Sequence, residues 1–248
     1  MQEREAGNPS ATPPPPTTVL TRPFDPKAVK EATTVLKSQS PREILKWALD
    51  ALGERLLVTT ALGAGGVLVA HYVHQLAPFH PVYFIDTGLH FPETLNYRDN
   101  LIKARGWNIV TVAASVAVEE APLPPSRSGM MDSSDRCCQF RKVAVMDGLL
   151  TGKDAWVSGL RREQEGERRQ VEVLSVDTRG VICVHPLAFA TRAWIDQELE
   201  AARIPQHPLH ASGYLSIGCW PCTLPASGFG GERSGRWAGT LKSECGIH

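Results

Sequence analysis

Six cysteines are spread over the 248 residues, and five of them fall into groupings that suit chemistry. Cys137 and Cys138 are adjacent, Cys219-Trp220-Pro221-Cys222 is a CxxC pair, and Cys245 lies in the final segment Glu244-Cys245-Gly246-Ile247-His248. Four thiolates in a CC and a CxxC pair are soft ligands, which select zinc or an iron–sulfur cluster. Adjacent cysteines point in divergent directions, which is awkward around one tetrahedral zinc and natural where each sulfur binds a different iron. A [4Fe–4S] cluster on Cys137, Cys138, Cys219 and Cys222 is therefore preferred to zinc, with a redox disulfide at the CxxC or buried structural thiols as the other readings. Cys245 sits beside a glycine on a tail, where a thiol can enter a site and leave it. That suits a nucleophile that meets two partners in turn; an unengaged free thiol is the plain alternative. Cys183, inside the apolar run Val181-Ile182-Cys183-Val184, reads as buried and inert.

Three further segments gain interest from the elements that precede them. Leu56-Leu57-Val58-Thr59-Thr60 reads as a buried strand, Leu62-Gly63-Ala64-Gly65-Gly66 as a glycine-rich turn, and residues 67–76 as an apolar helix. Residues 82–85 form a second strand ending at Asp86, residues 92–105 a helix and residues 108–112 a third strand. Residues 155–158 and 181–184 supply more strands, and residues 191–202 another helix. Ser40-Pro41-Arg42-Glu43 is a capping box with proline at the first helical position, opening an amphipathic helix through Ala48 and Leu52. Strands separated by helices predict an α/β domain of Rossmann-like form, its mostly parallel sheet covered by helices on both faces. Ligands gather at the carboxyl ends of such strands. There the Gly63 turn offers backbone N–H groups to a phosphate, with Thr60 just before it. Asp86-Thr87-Gly88 offers a carboxylate and a hydroxyl to a ribose or adenine. Ser158-Gly159-Leu160-Arg161-Arg162 offers paired guanidinium groups to phosphate or sulfate oxygens. A plain glycine turn and a solvated charge run are the ordinary alternatives.

Composition bounds the partners. With 26 basic and 26 acidic residues the net charge is zero, so no global field draws the chain to nucleic acid or an anionic membrane. No apolar run is long enough to span a bilayer, and Met1-Gln2-Glu3-Arg4-Glu5 is charged, so a cytoplasmic protein is expected. Pro13-Pro14-Pro15-Pro16 among Ser, Thr and Ala predicts that residues 1–21 form a disordered tail outside the core. The expected division is 1–21 tail, 22–225 nucleotide-binding domain with the thiol-ligated site, and 226–248 mobile carboxyl-terminal tail. The sequence leaves the oligomeric state open, a homo-oligomer included.

From about Leu56 onward the chain resembles the assimilatory adenylyl-sulfate reductases, within the wider phosphoadenylyl-sulfate reductase group. The resemblance rests on Asp86-Thr87-Gly88 with Phe91-Pro92-Glu93-Thr94, on Arg136-Cys137-Cys138 through Arg141-Lys142-Val143, and on Ser158-Gly159-Leu160-Arg161-Arg162-Glu163-Gln164. It continues through His185-Pro186-Leu187, Gly213-Tyr214, Gly218-Cys219 with Cys222-Thr223, Gly235-Arg236-Trp237 and the closing Glu244-Cys245-Gly246-Ile247-His248. It implies an adenine nucleotide alpha hydrolase-like domain and reduction of adenosine 5′-phosphosulfate to sulfite and AMP, with electrons from thioredoxin or glutaredoxin. Cys245 would be the nucleophile, passing through an S-sulfocysteine. A free thiol has a pKa of about 8.5, so basic neighbours, His248 among them, are expected to favour the thiolate. Lys142, Arg161, Arg162, Arg233 and Arg236 would neutralise the leaving phosphate. Lys142 would link cluster and substrate, with Arg233 and Arg236 preceding the tail.

The chain also departs from the family pattern. Thr59-Thr60-Ala61-Leu62 stands where a serine usually precedes the glycine, Glu165 replaces a serine after Gln164, and Ser134-Asp135-Arg136 lacks the histidine that often precedes the cysteine pair. The alternatives are a reductase for the 3′-phosphorylated nucleotide, an iron–sulfur PP-loop tRNA thiolase, and a non-catalytic metal-stabilised module. The four paired cysteines argue for the unphosphorylated substrate. The thiolase would need a Ser-Gly-Gly-x-Asp-Ser loop and a basic RNA surface, neither of which is clear here.

Overall fold

The computed structural model describes Pro16, Leu20 and residues 22–114, 131–164, 166–227, 230–240 and 242–247, without the side chains of residues 131–133 and 167. His248 and Glu165 therefore lie outside the described residues. Helices α1 (Pro26–Leu36) and α2 (Pro41–Leu52) precede the sheet. The alternating elements β1 (Leu56–Thr59), α3 (Ala64–Leu76), β2 (Val82–Asp86), α4 (Pro92–Arg105) and β3 (Ile109–Ala113) follow. Then come α5 (Met131–Cys138), a π turn at Gln139–Val143, α6 (Ala144–Leu150), β4 (Ala155–Val157), β5 (Leu174–Val176), β6 (Ile182–Val184) and α7 (Arg192–Ala201).

The capping box is present, with Ser40 N donating to Glu43 Oε2 at 2.8 Å and Glu43 N to Ser40 Oγ at 3.3 Å. The six strands are ordered β3-β2-β1-β4-β6-β5. All pairs are parallel except β5 with β6. Side-chain alternation divides the core. Leu56, Val58, Ala155, Val157, Ile182 and Val184 face the larger layer, formed with α1, α2, α3, α4 and α7. Leu57, Trp156 and Cys183 face the other, against Met146 and Leu150 of α6. Cys183 is buried there, and burial pushes its thiol up to about 12, as expected of an inert core cysteine.

Three elements escape the local pattern. Helix α1 and the three-residue edge strand β5 were not expected, and the cysteine pair proves to end a helix that runs through a π turn into α6. Two residues of the expected tail touch the domain. Leu20 is buried in the main core, and the Pro16 carbonyl accepts from Trp47 Nε1 at 3.1 Å. Among the described residues no helix is long and apolar enough to cross a membrane.

Candidate active site

The glycine turns after β1 and β4 meet at the carboxyl edge of the sheet. A β-carbon on Gly65 would lie 2.9 Å from the Gly159 carbonyl oxygen, and one on Gly159 2.8 Å from the Gly66 nitrogen. Gly63 caps α3 without a side-chain bond, so the helix offers free N–H groups there. Leu62 holds φ +59, a conformation that costs a leucine roughly 1–2 kcal/mol. Its buried side chain and its N–H to Thr60 Oγ1 at 3.0 Å maintain it. Thr59 is committed elsewhere, accepting from Trp156 Nε1 at 2.7 Å. Thr60 is thus the hydroxyl left near the turn.

A cleft of about 210 Å³ runs from these turns to the carboxyl-terminal segment. Thr60, Gly63, Lys142, Arg233, Arg236 and Cys245 all line it, six expected site residues brought together from four separate stretches of chain. Arg168, Ser158, His90, Trp237 and Glu244 line it as well, none of them given a role from the sequence. Trp237 organises the cations. The guanidinium of Arg236 lies 4.5 Å from its ring, that of Arg233 5.6 Å and the Lys242 ammonium 5.9 Å. Burial, with Arg168 beside it, pushes Arg233 down to about 10. For Lys142 burial opposes the charge, but Cys219 and Cys245 outweigh it and hold the ammonium above its ordinary value. Ser158 Oγ pairs with His185 Nδ1 at 2.9 Å, and burial pushes His185 down to about 4, so the imidazole is neutral.

Three expected contacts are placed elsewhere. Arg161 is buried between the carboxylates of Glu163 and Glu232 and does not line the cleft. Arg162 turns away, donating to the Val171 carbonyl at 2.6 Å and stacking 4.4 Å over Phe189. Asp86 closes its own turn, accepting from Gly88 N at 2.8 Å. Arg161 and Arg162 take carboxylate partners 71 and 10 residues away, whereas Asp86 bonds within its own turn. The tail is likewise docked. Arg179 Nη2 donates to the Ile247 carbonyl at 3.0 Å, while Ile247 packs against the core layer that holds Trp156 and Met146.

The two cysteine pairs are tied to one another through Thr87. Trp220 N donates to the Leu89 carbonyl at 2.8 Å and His90 bridges to Cys219, so the CxxC loop extends the β2 end of the sheet. Thr87 Oγ1 is 3.3 Å from Cys219 Sγ, and buried Arg141 reaches the Thr87 backbone from the π turn after Cys137-Cys138. A π turn inside a helix is a common mark of a functional site. Cys137, Cys138 and Cys219 are buried, Cys222 is half-buried, and none is in a disulfide. Burial pushes the thiols of Cys137, Cys138 and Cys222 up, and charges on the other paired cysteines add to it. Thiolates here would therefore need a compensating cation. Lys142, Lys242 and Arg236 lie within electrostatic reach, and the buried Arg141 Nε and Arg236 Nε have no hydrogen-bond partner among the described residues. Among the described residues no three His, Cys, Asp or Glu side chains converge tightly enough to hold one metal ion. Four soft sulfur donors have the chemistry of a zinc or iron–sulfur site.

Fold and site together define a doubly wound α/β domain of the kind that takes nucleotides at its carboxyl edge, here with a thiol-bearing segment across the cleft. Residues 55–225 match the phosphoadenosine phosphosulfate reductase domain, and the chain belongs to that family. A Rhodococcus erythropolis protein named adenosine 5′-phosphosulfate reductase is 35% identical over 226 residues, covering 86% of this chain and 90% of its own length. A protein of the same name from Geobacillus kaustophilus is 36% identical over 211 residues, covering 83% and 88%. The crystal structure of a phosphoadenylyl-sulfate reductase from Candida auris, in its phosphate complex, matches with a TM-score of 0.69 over 81% of this chain and 98% of that one. At 24% identity it supports the fold alone.

Proposed function

We propose that this chain reduces adenosine 5′-phosphosulfate to sulfite and AMP, with Cys245 as the nucleophile. The observation that carries the reading is the position of Cys245 in a cleft walled by Lys142, Arg168, Arg233 and Arg236 and floored by the Gly63–Gly66 turn. Its relatives' names, at 35–36% identity over most of both chains, support the same substrate.

The Cys245 thiolate attacks the sulfate sulfur, an S–S bond forms, the S–O bond to phosphate breaks, and AMP leaves with that electron pair. Charge builds on the departing phosphate oxygens, where backbone N–H groups of the glycine turn and the cleft's cations stabilise it. A dithiol of the thioredoxin or glutaredoxin kind then attacks Cys245 Sγ, and sulfite leaves with the bonding pair. The second thiol resolves the mixed disulfide, so the dithiol loses two electrons and the sulfur gains two. Cys137, Cys138, Cys219 and Cys222 would hold the [4Fe–4S] cluster, which when bound orders the wall carrying Lys142 and places charge beside it. His248 belongs to the same proposal as a basic neighbour of the nucleophile.

Incubating the anaerobically purified protein with adenosine 5′-phosphosulfate, without reductant, should add one sulfonate to Cys245 by peptide-resolved mass. Cys245→Ser should show none and release no sulfite. An adduct elsewhere, or turnover by the serine variant, would overturn the mechanism. Adduct formation only from the 3′-phosphorylated nucleotide would reassign the substrate.

A further inference from the structure

Arg168 and Arg233 are a part-buried pair of like charges in the cleft wall, and the anion between them belongs to the protein itself. Arg168 grips Glu244 with two prongs, Nε to Oε1 at 2.6 Å and Nη2 to Oε2 at 2.8 Å. Arg233 Nη2 lies 3.2 Å from Glu244 Oε2 and donates to the Ser243 carbonyl at 2.8 Å. All three side chains are 11–15% exposed, so the pairing is shielded from solvent. A planar carboxylate held by two guanidinium groups has the donor geometry of a bound sulfate or phosphate. Space agrees with charge. Pockets for drug-sized molecules usually measure about 300 Å³ or more. With the tail in place this cleft offers about 210 Å³.

We propose that Glu244 is a built-in stand-in for the substrate's anion: it occupies the Arg168–Arg233 pair in the free protein, and an incoming phosphate or sulfate must exchange with it. The exchange loosens one hold on Cys245. Another, between Arg179 and the Ile247 carbonyl, lies beyond Gly246, whose φ of +82 lets the chain turn between the two. Anion binding and tail position are thereby linked through the residue next to the nucleophile. Glu244 is a positioning residue, reading charge in the cleft and setting where Cys245 rests. The inference rests on the proposed reading of the cleft as the place where an anionic nucleotide binds.

The test follows alkylation of Cys245 by iodoacetamide in the anaerobically purified holoprotein, peptide by peptide, in sodium sulfate against sodium chloride at matched ionic strength. In the wild type, sulfate should speed alkylation of Cys245. Glu244→Gln should react about tenfold faster in chloride, the equivalent of one lost charge-assisted pair, and should ignore sulfate. Arg179→Gln should also react faster yet keep its response to sulfate. A wild-type rate indifferent to sulfate, or a Glu244→Gln rate equal to wild type, would overturn the proposal. So would loss of the sulfate response in Arg179→Gln. Because inorganic sulfate replaces the nucleotide, a sulfate-responsive tail in a protein inert to adenosine 5′-phosphosulfate would remove the proposed function and leave the exchange standing.

Discussion

Arg141 Nη1 donates to the Thr87 carbonyl at 2.7 Å across 54 residues of sequence, and through Thr87 the two cysteine pairs are held to one another. Arg141 leaves the π turn that follows Cys137-Cys138, while the Thr87 hydroxyl sits 3.3 Å from Cys219 Sγ. Replacing Arg141 by methionine removes the tie and leaves a buried carbonyl without its donor. Outer-shell partners of metal ligands are worth about 10- to 100-fold in retention. With the proposed cluster bound, Arg141→Met should lose iron to a chelator faster by roughly that factor, read from the decay of visible absorbance. An unchanged decay would show that the cysteine pairs hold their arrangement unaided.

The contact between the Gly65 and Gly159 turns makes a steric prediction. Gly159→Ala puts a methyl against the Gly65 and Gly66 backbone, which has no flexible side chain to move aside. Overpacking of this kind costs about 1–3 kcal/mol and should part the two turns, weakening AMP binding as well as stability. Gly148→Ala is the matched control, since no described residue outside its own helix comes within 4 Å of a β-carbon there and the residue is inside α6. That change should stabilise by about 0.5–1 kcal/mol. Denaturant titration and calorimetric AMP binding measure both.

Arg161 and Arg162 should separate although they are neighbours. Arg161 is 1% exposed and joins Glu163 to Glu232, whose side chains are 45% and 18% exposed, so Arg161→Met removes a buried cation from two part-solvated carboxylates at a cost of about 1–3 kcal/mol. Arg162 pairs with Glu172 on a side chain 34% exposed, and Arg162→Ala should cost about 1 kcal/mol or less. Unfolding midpoints decide. An Arg161→Met protein of wild-type stability that no longer binds AMP would restore Arg161 as a direct ligand.

Two buried histidines set an acid limit. Burial pushes both His185 and His207 from the ordinary 6.5 down to about 4. Between those values the unfolded chain binds protons that the folded chain refuses, so stability rises with pH there and is lost as pH falls from 6.5 toward 4. Each histidine contributes a slope of roughly 1.4 kcal/mol per pH unit inside that window. His207→Gln, which can still bond Thr94 Oγ1 as His207 Nε2 does at 3.0 Å, should flatten the slope measured by denaturation at stepped pH. A slope unaltered in that variant would mean that other groups cause the acid loss.

The elements around the site were legible because their signals are local. A capping box, a glycine turn between apolar runs and strands separated by helical periods each sit within a dozen residues, and each is found where the pattern puts it. The helix carrying Cys137 and Cys138 was not, since the π turn at Gln139–Val143 breaks the regular helical period and the preceding turns are polar. Strand β5 is three residues long and has one neighbour, too little for an alternation to register.

Residue types by themselves determined what chemistry the chain owns: soft thiols in two pairs, a further thiol beside a glycine, and glycine turns after strands. Tertiary structure alone decided which charges are free to use. Arg161 finds Glu232 at a separation of 71 residues and is withdrawn from the cleft. Arg168 reaches Glu244 across 76 and enters it. Whether a guanidinium serves a ligand or the fold depends on the carboxylate that reaches it first in space, and ion pairing over such distances follows the packing of the whole sheet.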